Sequence, residues 1–423
     1  MRKLLPAFLC LAMIVTTAAG CGSEPMPAPA PTLPQAVSIR TVSMFGGSDP
    51  SAAAYQQLIK DFQVKYPAIT VLDESATADE TWKARVATDF SSDNDPDVMF
   101  YFTGADAKQL IDNNKVVDIN TIKAVYPEYA RDITTAAMGF MKEPGGKTYA
   151  VPVRGFWEGL YCNKDLFDRY GLELPTTWGN FLTAVTVFRN NGIIPIAASF
   201  SDVPHYWIEH LIFSQGGVAD HHANPKETCP GSWETALNYF RTLYDMGAFP
   251  RDVNATTNDV AGNLFKNKKA AMQLDGSWFL GGIPDQANTV VLPFPVAPGG
   301  KKGSTDIIGG FSSGFYISTK AWNDPSRREA AALFVMFMTS RESIATLYNG
   351  SGAPSANIYP PDTLTSLQKM GLALVPNAAH VEMPIDSRMS KEAWTYLVSM
   401  IGQTATGKAT PADVLAKVVS LNR

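Results

Sequence analysis

A tryptophan at the end of a short apolar run is the side chain best placed for chemistry. Residues 263–282 read NLFKNKKAAMQLDGSWFLGG, which predicts a helix end with a basic face, then a strand over 270–274. A turn built by Asp275, Gly276 and Ser277 follows and presents Trp278. A large ring beside glycines can expose a flat apolar face to a ligand, and the same spacing also suits a core position. Spacing alone leaves both interpretations open.

A second motif, Gly310-Phe-Ser-Ser-Gly314, matches the G-x-S-x-G nucleophile elbow of esterases. The elbow requires a strand before the serine and a helix after it, whereas residues 315–318 have the pattern of a strand. His380 is the only later histidine, and no evident acid stands between the two at the usual place. A secreted hydrolase is therefore the weaker interpretation.

Two further patterns could bind a metal or a phosphate, and both lack a required residue. His205, His210, His221 and His222 are close in sequence, but they form no i, i+4 pair with a catalytic Glu. The segment 402–408, GQTATGK, resembles a phosphate loop, yet Ala409 stands where a magnesium-binding Ser or Thr is needed. No paired carboxylates indicate glycoside hydrolysis. We expect neither a metal nor a cofactor.

The composition indicates a globular chain with more than one packed core. Of 423 residues, 45% are hydrophobic and 18% are charged, so two lobes or domains are expected. The net charge is −5 and the Lys and Arg residues are scattered. Because no basic field is present, nucleic acid is excluded as a partner.

The amino terminus has the pattern of an export signal. Arg2 and Lys3 precede the apolar run 4–15, and small residues over 16–20 precede Cys21. This pattern resembles a bacterial lipoprotein signal, which implies cleavage after residue 20 and acylation of Cys21; an ordinary signal peptide or a single membrane helix are the alternatives. The Pro- and Ala-rich residues 21–36 would then be an extended tether.

The cysteines that remain in the folded part are Cys162 and Cys229. Export to an oxidising compartment would allow a disulfide between them. A single pair has no spacing pattern to support it, so two separate thiols are an equal alternative.

Alternating strand and helix patterns predict an α/β fold. Residues 37–45 suit a strand that ends at Gly46, Gly47 and Ser48, and strands are also expected over 69–72 and 98–102. Between the first two strands a helical stripe is formed by Tyr55, Leu58, Ile59, Phe62 and Tyr66. The run at 98–102 is apolar on both faces, as in a buried parallel strand.

An ordered series of phrases identifies a family. FQVKYPAITV, DPDVMFYFTG, AVPVRGFWEGLYCNKDLF, LPTTWGNF, GIIPIA, LFKNKKAAMQLDGSW, VLPFPVAPGG and GGFSSGFYIS follow one another. Their order resembles that of bacterial extracellular solute-binding proteins of the sugar-binding type, related to maltose-binding protein. The resemblance covers nearly the whole mature chain, with Cys162 as one departure where a Tyr is usual.

This resemblance implies two α/β lobes of the periplasmic-binding-protein fold, type II-like, joined by a hinge around a central cleft. The first lobe would take 37–155 and 312–357, and the second 156–310 and 358–423. The implied function is capture of a carbohydrate, an oligosaccharide or glycoside, outside the cytoplasmic membrane by a lipid-anchored monomer. Delivery to the permease subunits of an ABC importer would follow, with no bond made or broken and no cofactor.

The resemblance also implies which side chains contact the ligand. Hydroxyls and a ring would come from the first lobe, a guanidinium and rings from the crossing segment, and aromatic walls from the second lobe. The residues are Ser48, Tyr101, Thr103, Arg154, Phe156, Trp157, Trp207, Asp275, Trp278, Gly310 and Arg388. A rival ligand is a glycerophosphodiester, for which Arg154 and Arg388 would be the anion partners.

Overall fold

The computed structural model describes residues 36–47, 49, 51–78, 80–348, 352–358 and 363–422. These belong to one compact unit, Pro34–Arg423. The predicted signal, the tether with Cys21, and Ser48 lie outside the described residues.

Strands and helices alternate along the described chain, as the α/β prediction requires. The strands are β1 Val37–Ser43, β2 Ile69–Asp73, β3 Val98–Phe102, β4 Phe156–Asn163, β5 Ile194–Ala197, β6 Ala270–Gly276, β7 Thr289–Leu292, β8 Ile307–Gly310, β9 Ser313–Ile317 and β10 Val381–Glu382. The helices are α1 Ala52–Lys65, α2 Glu80–Ser91, α3 Ala105–Asp112, α4 Ile119–Val125, α5 Thr135–Phe140, α6 Lys164–Arg169, α7 Trp178–Asn190, α8 His205–His221, α9 Gly231–Asp245, α10 Asn258–Lys266, α11 Thr319–Asn323, α12 Pro325–Met338, α13 Arg341–Leu347, α14 Ser366–Asn377, α15 Lys391–Ser399, α16 Ile401–Ala405 and α17 Pro411–Leu421. Short 3₁₀ helices lie at Ser277–Gly282, Gln286–Asn288 and Ile385–Arg388.

The first sheet has the strand order β2-β1-β3-β9. β1 is parallel to both neighbours, and β9 returns antiparallel to β3 with Phe100 opposite Phe315. Helices α1 and α12 bury their apolar faces on this sheet, and the resulting hydrophobic core contains residues from 39 to 153 and from 311 to 356. A late part of the chain therefore completes the sheet that the amino-terminal part begins.

The second sheet has the order β10-β8-β4-β6-β5, with β7 also paired to β4. Its two hydrophobic clusters contain residues from 157 to 307 and from 367 to 418. Helices α7, α8 and α9 supply many of the large side chains of one of these clusters. Each sheet thus has a core of its own.

Several helix starts follow from their capping residues. The Thr177 hydroxyl accepts a hydrogen bond from the Asn180 amide at 3.2 Å and caps α7, and Asp324 caps α12 just before Pro325. Thr410 caps α17, which opens at Pro411. A side-chain oxygen satisfies amide groups that have no partner within the helix, and proline at the first position loses nothing there.

Three glycines meet where the chain crosses between the two cores. A Cβ on Gly155 would lie 2.5 Å from the Gly310 carbonyl oxygen, and a Cβ on Gly352 would lie 2.0 Å from the Gly155 carbonyl oxygen. The Gly155 amide donates to the Ala353 carbonyl at 2.6 Å, and a bridge pairs Val151 with Phe315. The crossing segments are therefore packed backbone to backbone, which only glycine permits.

The cysteines answer one point left open by the sequence. Cys162 and Cys229 are both free thiols, so the disulfide does not form and the alternative of separate thiols holds. Among the described residues, no single helix meets the length and hydropathy of a membrane span; α12 with α13, bent by 62°, meets them only as a pair.

Candidate ligand-binding cleft

Trp278 is exposed at the edge of the second sheet. The 3₁₀ helix Ser277–Gly282 carries it directly after β6, and 44% of the residue is accessible. Strand β6 runs on through Gly276, so the turn predicted at 275–277 is replaced by a longer strand and a 3₁₀ helix. The ring centroids of Phe156 and Tyr206 lie 5.8 and 6.3 Å from that of Trp278. These three rings form an aromatic wall with one open face.

The backbone of Gly276 makes room for the indole of Trp278. A Cβ on Gly276 would lie only 2.2 Å from the indole Cζ2 atom, so any side chain there would displace the ring. The Gly276 carbonyl accepts a hydrogen bond from the Tyr161 hydroxyl at 2.9 Å, and its amide donates to Asp275 Oδ1 at 2.7 Å. The strand end that positions Trp278 is thus held on both sides.

Arg154 lies at the crossing segment and points toward the first sheet. Its Nη1 donates to Ser51 Oγ at 2.8 Å and its Nη2 to Asp49 Oδ2 at 2.5 Å, and its guanidinium lies 5.2 Å from the Phe45 ring centroid. Its side chain is 19% exposed. Part of the Arg154 guanidinium, which the sequence analysis assigns to a ligand, is therefore already hydrogen-bonded within the protein. Asp49, which the sequence analysis did not single out, adds a carboxylate beside it.

The first sheet contributes the opposite wall through the end of β3. Tyr101 is 4% exposed and packs 5.3 Å from Trp82, while the Thr103 amide donates to the Ser312 carbonyl at 2.8 Å. Phe102 lies under the Lys83 ammonium at 4.5 Å.

His205 of α8 connects this wall electrostatically with the second one. Burial, together with the charge of Lys83, lowers the pKa of His205 to about 4. Lys83 in turn pairs with Asp106 at 2.9 Å. The side chains of the two walls therefore lie within electrostatic reach of each other.

Trp207 and Trp157 are packed inside the second core instead of lining the cleft. Trp207 is 2% exposed, with its ring 5.0 Å from Phe249 and 5.9 Å from Phe294. Trp157 is fully buried beside Tyr161 at 6.0 Å. Both positions correct the sequence expectation, since a ring enclosed by apolar neighbours has no face for a ligand. Tyr206, adjacent to Trp207 in α8, reaches the aromatic wall instead.

Gly310 and Arg388 occupy different positions near the crossing. Gly310 has a φ of +125°, and a Cβ there would lie 2.7 Å from Met383 Sδ and 2.9 Å from Phe140. Arg388 ends a 3₁₀ helix, is partly buried, and acts on the buried His221 through its charge. Gly310 therefore allows close packing at the crossing, and Arg388 contributes a cation to the second lobe.

Buried carboxyl groups lie behind the aromatic wall, and the sequence analysis did not find two of them. Glu158, Glu209 and Asp275 are 2%, 1% and 1% exposed. Burial raises the pKa of Glu158 to about 8 and that of Asp275 to about 7, and raises the pKa of Glu209 as well. The signal in the sequence is weak: Glu158 in WEG and Glu209 in IEH have the pattern of polar residues on the exposed face of a strand or a helix.

The catalytic motifs have no supporting geometry in the described chain. Residues 310–314 join β8 directly to β9, so no helix follows Ser312 as an esterase elbow requires. No group of three or more His, Cys, Asp or Glu side chains within the described residues has a metal-binding arrangement. An open cavity of about 690 Å³ lies at the edge of the first sheet, lined by Arg40, Asp97 and Arg327 among others. None of the predicted contact residues lines this cavity.

Curated proteins with similar sequences match parts of this chain. A "Multiple sugar-binding protein" of Streptococcus mutans is 26% identical over 220 residues, 50% of this chain and 51% of that protein. A "Putative ABC transporter periplasmic-binding protein YcjN" of Escherichia coli is 24% identical over 307 residues, 69% and 66% of the two chains. Several others match over about two fifths of their length. The chain thus spans about half the length or less of most curated relatives it matches.

Solved structures and a family model cover more of the chain. A "Chitin oligosaccharide binding protein" has a TM-score of 0.81 at 21% identity, over 92% of this chain and 98% of that one. "Maltose bound T. maritima MalE3" has a TM-score of 0.72 at 19% identity, over 91% and 98%. These likenesses confirm the two-lobed α/β fold. The model of the family described as bacterial extracellular solute-binding protein matches residues 46–345, well over half of the chain. Because this match covers more than half of the chain, the chain belongs to the bacterial extracellular solute-binding proteins.

Proposed function

We propose that this protein captures a carbohydrate, an oligosaccharide or a glycoside, between its two lobes. The observation that carries the proposal is the exposed face of Trp278, open by 44% and flanked by Phe156 and Tyr206. The C–H groups of a pyranose lie flat on an indole, while its hydroxyls need polar partners at the rim. The names of the Streptococcus mutans relative and of the chitin-oligosaccharide-binding neighbour support a sugar ligand.

The polar partners would come from the first lobe and the crossing segment. Asp49 and Arg154 form an ion pair that is only partly exposed, with side chains 16% and 19% accessible, so both groups are fixed in orientation. We assign them to sugar hydroxyls, together with Thr103; we propose that Tyr101, which is 4% exposed, supports this wall from behind. Charged groups make stronger hydrogen bonds than neutral ones, and a fixed pair loses little entropy on binding. Ser48 remains a proposed contact from the sequence.

Closure would follow from contacts made with both lobes at once. We divide the chain into lobe one, 37–155 and 312–357, and lobe two, 156–310 and 358–423. A ligand that touches only one lobe stabilises the open and closed forms equally and shifts nothing. A sugar between Trp278 and the Asp49–Arg154 pair would favour the closed form. No bond is made or broken in this cycle.

The cellular role follows from the sequence and the family. We propose that Cys21 is acylated after removal of residues 1–20, so that the protein is held at the outer face of the cell membrane. The monomer would deliver its sugar to the permease subunits of an ABC transporter. Deletion of the neighbouring permease genes should abolish uptake of the same sugar that the purified protein binds, and mass spectrometry of the membrane fraction should find the lipid on Cys21.

The test of the ligand class is calorimetry of the mature protein. Neutral oligosaccharides, glycerophosphodiesters and inorganic phosphate should be titrated under the same conditions, and we expect saturable binding of an oligosaccharide only. Preferred binding of a glycerophosphodiester would replace the carbohydrate by the rival ligand, with Arg154 and Arg388 as its anion partners. Turnover of chromogenic esters or glycosides that depends on Ser312 would show a hydrolase and reject the binding function.

A further inference from the structure

Three buried carboxyl groups belong to elements that pack around Tyr206: Glu158 and Asp275 lie on the paired strands β4 and β6, and Glu209 lies in the same helix as Tyr206. Asp275, Glu158 and Glu209 each act electrostatically on this phenol and, together with its burial, raise its pKa well above the ordinary value. They come from three elements, β6, β4 and α8. Tyr206 in turn contacts Trp278, so these three carboxyl groups lie close behind the aromatic wall.

No Lys or Arg pairs with these carboxyl groups in the described part of the chain. The Glu158 Oε2 atom meets only His210 Nε2, at 3.0 Å, and Asp275 accepts from the Gly276 amide and from Gln273 Nε2 at 2.8 Å. The Oε2 atom of Glu209 and the Oε1 atom of Gln273 are buried and have no hydrogen-bond partner. Two acceptor atoms therefore remain without a donor beside three acidic groups.

Another buried acid in the same chain shows the usual arrangement. Asp97 is 1% exposed and accepts from Arg327 at 3.1 Å and from the Arg40 amide at 2.7 Å. A buried charge is costly unless it is paired, so a cluster without a cation must be protonated or receive its cation from outside.

The other charged groups near the cluster do not pair with it among the described residues: Arg388, in the same 3₁₀ helix as Asp386, acts on His221 through its charge. Asp386 adds a further negative charge beside Glu209. The Lys302 ammonium donates to the Gly303 and Asp306 carbonyls and acts on His210 only at a distance. Burial lowers the pKa of His210 to about 3, so this imidazole is neutral. Lys83 is paired with Asp106 on the opposite wall.

Building on the proposed function, we propose that the captured sugar is an amino sugar whose ammonium group lies against the wall of Trp278, Phe156 and Tyr206, with the carboxyl groups behind it. Aromatic faces attract cations, and the attraction grows when the site is desolvated. Binding of the ammonium makes the carboxyl groups behind the rings release protons, and the negative charge that remains on them strengthens the same field. The ligand's ammonium thus compensates the carboxyl groups that the protein leaves unpaired.

The test compares matched β-1,4-linked oligosaccharides of equal length. Glucosamine oligomers carry ammonium groups, N-acetylglucosamine oligomers carry neutral amides, and cello-oligomers carry hydroxyls. Calorimetry should give the glucosamine series an affinity at least about tenfold higher, equivalent to about 1.4 kcal/mol. The Glu209→Gln variant should lose most of this preference, measured as the ratio of the two affinities.

A second readout uses the unmodified protein, in case that variant folds poorly. At about pH 6 the buried carboxyl groups hold protons, and an adjacent ammonium lowers their pKa values, so binding of the glucosamine series should release protons. Titrations in buffers of different ionisation heat measure this release, and the neutral series should show none.

Each outcome bears on a different statement. Equal or tighter binding of the neutral series, without proton release, would overturn the amino sugar and leave carbohydrate capture intact. Binding of none of the three series would count against both the amino sugar and these β-1,4-linked carbohydrates, and other sugars from the calorimetric panel would then decide the proposed function. Tight binding of choline alone would show a site for the cationic group without a sugar and would also reject the amino sugar.

Discussion

Trp278 and Trp207 are the same residue type in the same lobe, and their surroundings give them different roles. Trp278 is 44% exposed and Trp207 is 2% exposed. The first lies over a glycine at the end of a strand, and the second is enclosed by Phe249 and Phe294. Substitution of each by alanine therefore separates ligand contact from core packing.

We expect Trp278→Ala to weaken sugar binding by at least about tenfold and to change stability little, since most surface substitutions stay within about 0.5 kcal/mol. Trp207→Ala should instead lower the free energy of unfolding by about 3–5 kcal/mol, because it leaves a cavity in the core. Calorimetry and urea unfolding of both variants measure the two effects. Unchanged affinity in Trp278→Ala would remove this residue from the site.

Gly276 gives a finer test, because a substitution there moves the indole ring of Trp278 and leaves the ring itself unchanged. A Cβ in Gly276→Ala would lie 2.2 Å from the indole and push it away, so sugar affinity should fall by about as much as in Trp278→Ala. Gly281→Ala is the matched control. Gly281 lies in the 3₁₀ helix that carries Trp278, and no atom lies within 4 Å of its added Cβ. Equal affinities in these two glycine variants would contradict the positioning role.

The sequence pointed to Trp278 and its neighbour Phe156, but not to Tyr206, which completes the wall. The strand, the glycines and the family order of phrases all point to Trp278. Helix α8 gave no such guide, because Tyr206, Trp207, Ile208 and Leu211 are all buried, and a helix apolar on every side does not reveal which face meets the cleft. Glu209 and Glu158 were missed for a related reason: their burial is a property of the packed lobe.

Among the strands and helices, the crossing segments have the strictest local requirements. Gly310 combines a φ of +125° with close approach of Met383 and Phe140, while Gly145 has a φ of +103° and open space around it. An alanine at either position would have a strained backbone, and only at Gly310 would its methyl group also collide with neighbouring atoms. This pair of glycines therefore separates backbone strain from steric contact.

Gly145→Ala should lower the free energy of unfolding by about 1–2 kcal/mol through strain alone. Gly310→Ala should cost about 1–3 kcal/mol more, because its methyl group also collides with the Met383 and Phe140 side chains. Urea unfolding followed by tryptophan fluorescence measures the difference. Equal losses would mean that the crossing relaxes around the methyl group.

Element types were predictable where the pattern was local, and element ends were not. The strand expected at 98–102 is β3 without a shift, because five apolar residues end at polar neighbours. The strand expected at 270–274 continues to Gly276, since pairing with β4 outweighs the turn preference of Asp275 and Gly276. Pairing partners are distant in sequence, and a local pattern does not contain them.

For the whole molecule, the buried acids predict a stability that falls as the pH rises. The folded-state pKa of Asp275 is about 7, above the ordinary value of about 3.9. Its contribution is therefore fully present below about pH 4 and is lost as the pH rises through about 7. Without ligand, Asp275→Asn should lose less stability than the unmodified protein between pH 5 and pH 8. The urea midpoint of unfolding, measured across this pH range, gives the change in stability. The variant Asp245→Asn, at an exposed position, controls for the removal of a charge. Parallel pH curves for the unmodified protein and both variants would reject the raised pKa of Asp275.

The two cysteines give a second prediction for the whole fold. Burial raises the pKa of Cys162, and it raises that of Cys229 to about 11, so neither thiol is a reactive thiolate at neutral pH. Iodoacetamide should leave both unmodified in the native protein and label both after unfolding in urea, as read by peptide mass spectrometry. A disulfide-linked peptide in the unreduced sample would contradict this result.

The pairing of Phe100 with Phe315 also sets an order of events during synthesis. The first sheet lacks its edge strand until β9 has left the ribosome, and the second core lacks α15 to α17 until the very end. Contacts between such distant residues form slowly, because the loop between them must first be closed. We therefore expect both hydrophobic cores of the nascent chain to be incomplete when its amino terminus has already left the ribosome. This arrangement of strands would give the export signal predicted at residues 1–20 time to act before the chain folds.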